Sequence, residues 1–201
     1  MKRDILPGII AIVVFLLVFN AFYIVAPVPF EIAKIDEVYH FAPKGYVHSA
    51  DRPDKVIAWP SAWKGYKVVE YWYHWPYDGY EAKDDWEPVI LLIDQSSVKA
   101  VAVRVHYAWR VAYAFPKEGD KPVVSFLALW HTPLLREPSD GVWVEVDKKP
   151  VVEKPPEDVD YAKVFGIAFS PTESALASAF TFGILAGATS YLLVGLLTKR
   201  F

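Results

Sequence analysis

A chain of 201 residues has room for about one domain with a few added elements. It carries 21 basic against 24 acidic residues, a balance that argues against a nucleic-acid partner, which needs a basic face. It has no cysteine, which excludes a disulfide scaffold and thiol chemistry.

The apolar residues, 54% of the chain, are unevenly spread. Ile5 to Ala26 reads ILPGIIAIVVFLLVFNAFYIVA without a charge, and a helix across a bilayer core takes about 20 residues. Residues 1–29 are therefore predicted to be a transmembrane anchor. The apolar run is longer than a signal-peptide core and no clear small-x-small site follows it, so the anchor is read as uncleaved. A second uncharged run, Ser174 to Leu197, predicts a C-terminal transmembrane helix within residues 171–201, with a buried core helix as the alternative. SPTE at Ser170 to Glu173 matches a capping box with proline at the first helical position. Lys2, Arg3, Lys199 and Arg200 flank the runs, which predicts cytoplasmic termini and a central part outside a cell membrane. Ala175, Ala179, Gly183 and Gly187 recur every four residues, a small-residue stripe that admits another helix. Its partner is the first helix, a second copy of the chain in a homo-oligomer, or another membrane protein.

Between the runs, residues 30–150 have the punctuation of strands. YKVVEYWYHW (Tyr66 to Trp75), EPVILLID, VKAVAVRVHYAWRVAYAF (Val98 to Phe115), PVVSFLALWH and GVWVEV are separated by turn-forming DQSS, PKEGDKP and REPSDG. The fold class is thus mainly β, an antiparallel β-sandwich between two transmembrane helices. Residues 151–170, charged and proline-rich, read as a linker.

The chemistry concentrates in YWYHWPYDGYEAKDDWE (Tyr71 to Glu87). If DWEPVILLI is a strand, Asp85 and Glu87 share a face about 7 Å apart and Trp86 points the other way into the core. Two such carboxylates repel unless neutralised, and a hard divalent cation with oxygen ligands would do so. Asp78, in the turn PYDGY, can be brought over the same face. Solvated surface acids are the alternative.

This stretch resembles the signature region of the necrosis- and ethylene-inducing-like proteins (NLPs), in which an aromatic strand ending in Pro-x-Asp leads to Gly-His-Arg-His-Asp-Trp-Glu and a valine-rich strand. It is also similar to Vps62-type domains. The likeness runs over about residues 68–132 and takes in His106 and His131. The resemblance implies a β-sandwich whose acids bind Ca²⁺ or Mg²⁺, with some members binding sphingolipid glycan headgroups. Carried over by position, it implies Asp78, Asp85, Glu87 and His106 as metal ligands, with Asp84 and His131 as possible additions. Where the family has Gly-His-Arg-His this chain has Glu81, Ala82, Lys83 and Asp84, which alters the site.

His106 is predicted to share a strand face with Arg104 and Arg110, either a groove for an anionic or sugar ligand or a plain solvent face. Three functions stay open. The first is a membrane-anchored domain that binds a glycan or lipid headgroup through a cation. The second is an accessory subunit of a membrane complex, docked through the helix stripe. The third, least favoured, is a metal-dependent hydrolase, for which no catalytic residue is assigned and no nucleophile elbow or P-loop is present.

Overall fold

The computed structural model describes residues 5–24, 31–48, 50–79, 81–139, 142–166 and 173–198. The chain opens with α1 (Ile5–Ile24), then α2 (Ile35–His40) and β1 (Lys44–His48). A run of strands follows: β2 (Lys55–Trp63), β3 (Tyr66–Trp75), β4 (Asp85–Asp94), β5 (Ser97–Val105) and β6 (Ala108–Ala112). After them come β7 (Lys117–Glu118), β8 (Lys121–Phe126), β9 (Pro133–Leu134), β10 (Trp143–Glu145) and β11 (Val151–Val152). The described chain closes with α3 (Tyr161–Phe165) and α4 (Glu173–Thr198).

Strands β2 to β6 form an antiparallel meander, and β11 adds to its edge alongside β2 in parallel. Three of its four connections are two-residue turns, and the fourth, between β3 and β4, is a longer loop. Lys64 and Gly65 both take positive φ (50° and 84°) between the paired residues Trp63 and Tyr66, the backbone that matches the twist of a hairpin. The other sheet runs β10-β1-β8-β7, with β9 also on β8, and β1 pairs β8 in parallel. Both sheets are therefore mixed, which corrects the purely antiparallel expectation.

Alternation along β4 explains why its apolar run is unbroken. Val89, Leu91 and Ile93 face a core shared with Val47 of β1 and Val124 and Phe126 of β8. Ile90 and Leu92 face the other way, into a second cluster closed by Val164 and Phe165 of α3. A strand buried on both faces needs no polar residue at alternate positions. Burial on the second face extends to Glu70, 2% exposed. Its carboxylate accepts from the Trp72 indole at 2.9 Å and from the Tyr161 hydroxyl. Desolvation raises its pKa, against the pull of those donors. Residues 151–166, read from sequence as a linker, thus carry β11 and α3 and lie against the sheet.

The two apolar runs form α1 and α4, and these pack on each other. A Cβ built on Gly183 would stand 2.6 Å from the Phe15 ring, and one on Gly187 would stand 2.9 Å from the Ala11 carbonyl oxygen. The glycines of the stripe are thus used within the chain, against α1. The Ala175 and Ala179 side chains, and Ser170 to Thr172 of the SPTE cap, lie outside the described residues. Outward-facing side chains such as Leu17 and Leu192 stay exposed.

The expectation of transmembrane helices is corrected here. Among the described residues, no helix is long and apolar enough to cross a membrane. The anchored architecture and the cell-membrane localisation with two cytoplasmic termini rested on those spans and fall with them, and the bilayer as a partner is left without support. The accessory-subunit reading also loses its ground, since Gly183 and Gly187 already meet α1.

Substituting Tyr161→Phe removes one of the two donors to the buried Glu70. The expected cost is about 1–3 kcal/mol, read as a lower unfolding midpoint in denaturant with an unchanged slope.

Candidate functional site

The site lies where β3 ends and β4 begins. Trp75 and Asp85 are paired across the ladder, and the chain between them leaves the sheet. It turns at Asp78, which exchanges two backbone hydrogen bonds with Glu81 (3.0 and 2.9 Å) around Gly79. Gly79 has φ +60, and a Cβ there would meet the Trp130 ring at 2.8 Å. Its N–H donates to the Leu129 carbonyl at 2.7 Å. The turn after β3 and the loop after β8 are thereby locked together, and glycine is required for both reasons.

His131, fully buried, ties this junction to a third segment. Its Nδ1 is 2.7 Å from Asp85 Oδ2 and its Nε2 is 3.1 Å from Asp51 Oδ1. Both ring nitrogens are therefore engaged by carboxyl groups, with donor and acceptor roles that follow the tautomer. The ring stacks on Trp75 at 4.3 Å and meets the edge of Tyr77. Asp51 also accepts from the Tyr77 hydroxyl at 2.5 Å and from the Leu129 N–H at 2.7 Å. The bond to Asp51, with burial, pushes the Tyr77 hydroxyl up to about 12.

A cavity of about 630 Å³ opens beside this knot. Asp78, Asp85 and Glu87 line it, as do Arg104, His106, Lys83 and Glu157. Tyr107, Trp109 and Trp130 supply aromatic wall. Glu87 is 8% exposed and its Oε2 is buried without a hydrogen-bond partner. Burial, reinforced by the charges of Asp85 and Asp78 and opposed by Arg104, pushes its carboxyl up to about 9. A carboxyl in that position is neutral near pH 7 unless a positive group joins it.

Four predicted ligands, Asp78, Asp85, Glu87 and His106, thus face one cavity. Their arrangement differs from the sequence expectation in several respects. His106 does not extend a strand face. It sits with Tyr107 in the turn between β5 and β6, at φ +55. Asp84 is exposed and turned to His74, 3.3 Å away, rather than to the cavity. Both nitrogens of His131 are occupied by carboxylates, so it braces Asp85 instead of offering a free ligand atom. Arg104 lines the cavity, while Arg110 is exposed and not part of its wall. Trp86 is half-buried and tilted against the His74 ring at 4.4 Å, not a core anchor. Among the described residues no group of three or more His, Asp or Glu side chains is arranged to hold a metal ion.

Three residues of the site carried no sequence signal. Asp51 sits in an irregular segment 80 residues from His131. Trp130 is one aromatic among many. Glu157 lies in the charged stretch read as a linker, yet its carboxylate pairs with Arg104. The Arg104 guanidinium also donates to the Trp86 carbonyl at 2.9 Å and lies 5.5 Å from the Trp72 ring and 6.0 Å from the Trp109 ring.

No protein-family model matches the sequence, and no curated protein matches it. Among solved structures the chain is similar to NLPPya in complex with glucosamine, at 15% identity and a TM-score of 0.50, over 63% of this chain and 74% of that one. NLPPya in complex with mannosamine gives the same figures. A structure described as a toxin fold for microbial attack and plant defense is similar at 15% identity and a TM-score of 0.49, over 58% and 72%. The chain therefore has an NLP-like fold. The Vps62-type likeness is not shown by these structures.

The state of Glu87 is open to a stability measurement. A folded pKa of about 9 against an ordinary 4.5 means that the folded chain holds a proton the unfolded chain releases. The Glu87 contribution is fully present below the unfolded value and is lost as pH rises through the folded one. In chelator, the parent is expected to lose stability between those two values relative to Glu87→Gln, which cannot ionise. Denaturant midpoints of the two proteins across this range check it.

Proposed function

We propose that this chain binds a glycan at the acidic cavity, with positive charge at Glu87 as the organising contact. The observation that carries this reading is Glu87, whose Oε2 is buried and unpartnered, in the wall of a cavity that Asp78 and Asp85 also line. A buried polar atom without a partner costs free energy that an occupant can recover. Aromatic walls beside it suit the apolar face of a sugar ring, as Trp130 and Trp109 do here.

A divalent cation, Ca²⁺ or Mg²⁺, is the first candidate for the positive charge. Asp78, Asp85 and Glu87 fit such an ion in charge and in donor type, since both ions prefer oxygen. They would hold it, and the ion would supply coordination for sugar hydroxyls. His131 keeps Asp85 oriented and Gly79 keeps the Asp78 turn closed against Trp130.

A second reading is favoured by a specific observation. No three ligands are already gathered among the described residues, and the similar NLPPya structures hold glucosamine and mannosamine, both amino sugars. A protonated amine can meet the Glu87 carboxylate directly, with no ion between. The shared chemistry is a positive group paired with a buried acid.

Calorimetric titration of the full chain with glucosamine, and with glucose as the neutral control, separates these. If the ion organises the site, both sugars bind only with Ca²⁺ or Mg²⁺ present. If the amine does so, glucosamine alone binds in chelator. In either case Asp85→Asn and Glu87→Gln are expected to weaken binding by about tenfold or more, the factor that one charge-assisted contact supplies. No binding of either sugar under any condition would refute the proposal.

A further inference from the structure

The Glu157–Arg104 pair has no part in that reading, yet it sits in the same cavity wall. It is held there deliberately by the fold. Upstream, Val151 and Val152 pair with Ile57 and Ala58 of β2. The Glu153 N–H donates to the Ala58 carbonyl at 3.1 Å, and the Glu153 carboxylate meets Lys55 at 2.6 Å. Downstream, Asp160 caps α3 by accepting from the Ala162 N–H at 3.0 Å, Tyr161 bonds the buried Glu70, and Phe165 packs on Trp63 at 5.7 Å. The segment between is anchored at both ends, and Glu157 is delivered onto the Arg104 guanidinium.

Arg104 is equally fixed. The Trp86 carbonyl accepts from its Nη2, and the Trp72 and Trp109 rings flank it. A guanidinium pinned by a carbonyl and aromatic rings in a cavity wall is a ready anion receptor. Here the chain's own carboxylate takes that place. Without it, Arg104 would oppose the positive occupant that Glu87, Asp85 and Asp78 call for, since like charges in one cavity wall repel.

We infer that Glu157 is a specificity-determining residue: by neutralising Arg104 it keeps the cavity selective for positively charged or neutral sugars and closes an anion site that Arg104 would otherwise offer. The inference rests on the glycan-binding reading of the same cavity. It goes beyond that reading in assigning the sign of the accepted ligand to a residue outside the acidic cluster.

The test uses the full chain, Glu157→Gln, and the double variant Glu157→Gln with Arg104→Gln, titrated at low salt with glucosamine and with glucuronate, a sugar of similar size carrying a carboxylate. Unfolding midpoints confirm that each variant is folded. The parent is expected to ignore glucuronate. Glu157→Gln is expected to gain glucuronate affinity by about tenfold or more over the parent and to bind glucosamine more weakly. The gain should fade with added salt and vanish in the double variant. Should the double variant fail to fold, the salt dependence and an Arg104→Lys exchange in the Glu157→Gln background replace it, because lysine keeps the charge and loses the planar fork. Glucuronate binding by the parent, no gain in Glu157→Gln, or a gain that survives loss of the Arg104 guanidinium would each overturn the inference. If the parent fails to bind glucosamine in any ionic condition, the glycan proposal falls, and the glucuronate arm still decides the role of Glu157.

Discussion

A buried histidine between two aspartates holds the site together. His131 bonds Asp85 at the start of β4 and Asp51 in the segment before β2, and its ring lies flat on Trp75 at the end of β3. These segments are far apart in the chain, and the ordered ring fixes their mutual position. Asp51 in turn receives Tyr77 and the Leu129 N–H, which brings the loop after β8 under the same control. Removing one partner from a buried charged network is far more costly than deleting a surface ion pair, because the remaining groups stay desolvated. The knot therefore sets the geometry of the cavity next to it, although His131 is not itself part of the cavity wall.

The sheet supports this arrangement from behind. Strands β3, β4 and β5 are buried on both faces, one by the opposite sheet and the other by α3 and the segment that precedes it. Covering the second face costs the chain a buried acid, Glu70, which is met by Trp72 and Tyr161. The same cover positions Glu157 on Arg104. Packing of the segment onto the sheet and the electrostatics of the cavity are thus consequences of one docking event.

Much of the meander was legible in the sequence. Aromatic and β-branched runs marked β3, β4 and β5, and turn-forming residues marked their ends. The nearness of Asp78, Asp85 and Glu87 was also legible, because a short loop and a strand of period two leave few other placements. What was not legible depended on tertiary contact. Val98 to Phe115 alternates without a break, so the turn at His106 and Tyr107 that splits it had no pattern to announce it. Asp51 and Glu157 look like ordinary solvated acids until the fold brings them to His131 and Arg104. Asp84 looked like a substitute ligand by position, but it is exposed and faces His74. The two apolar runs were legible as helices. Their reading as membrane spans was not upheld, while the glycines that suggested a close helix contact do meet α1.

The account turns on whether Glu87 is a buried, neutral acid waiting for a positive partner. Carbon NMR of the full chain, with the Glu87 carboxyl assigned by comparison with Glu87→Gln, observes this directly. In chelator near pH 7 the resonance should be that of a protonated carboxyl, and addition of Ca²⁺ or glucosamine should move it to the ionised position. A Glu87 carboxyl already ionised without any occupant, or one that stays protonated through both additions, would contradict the account.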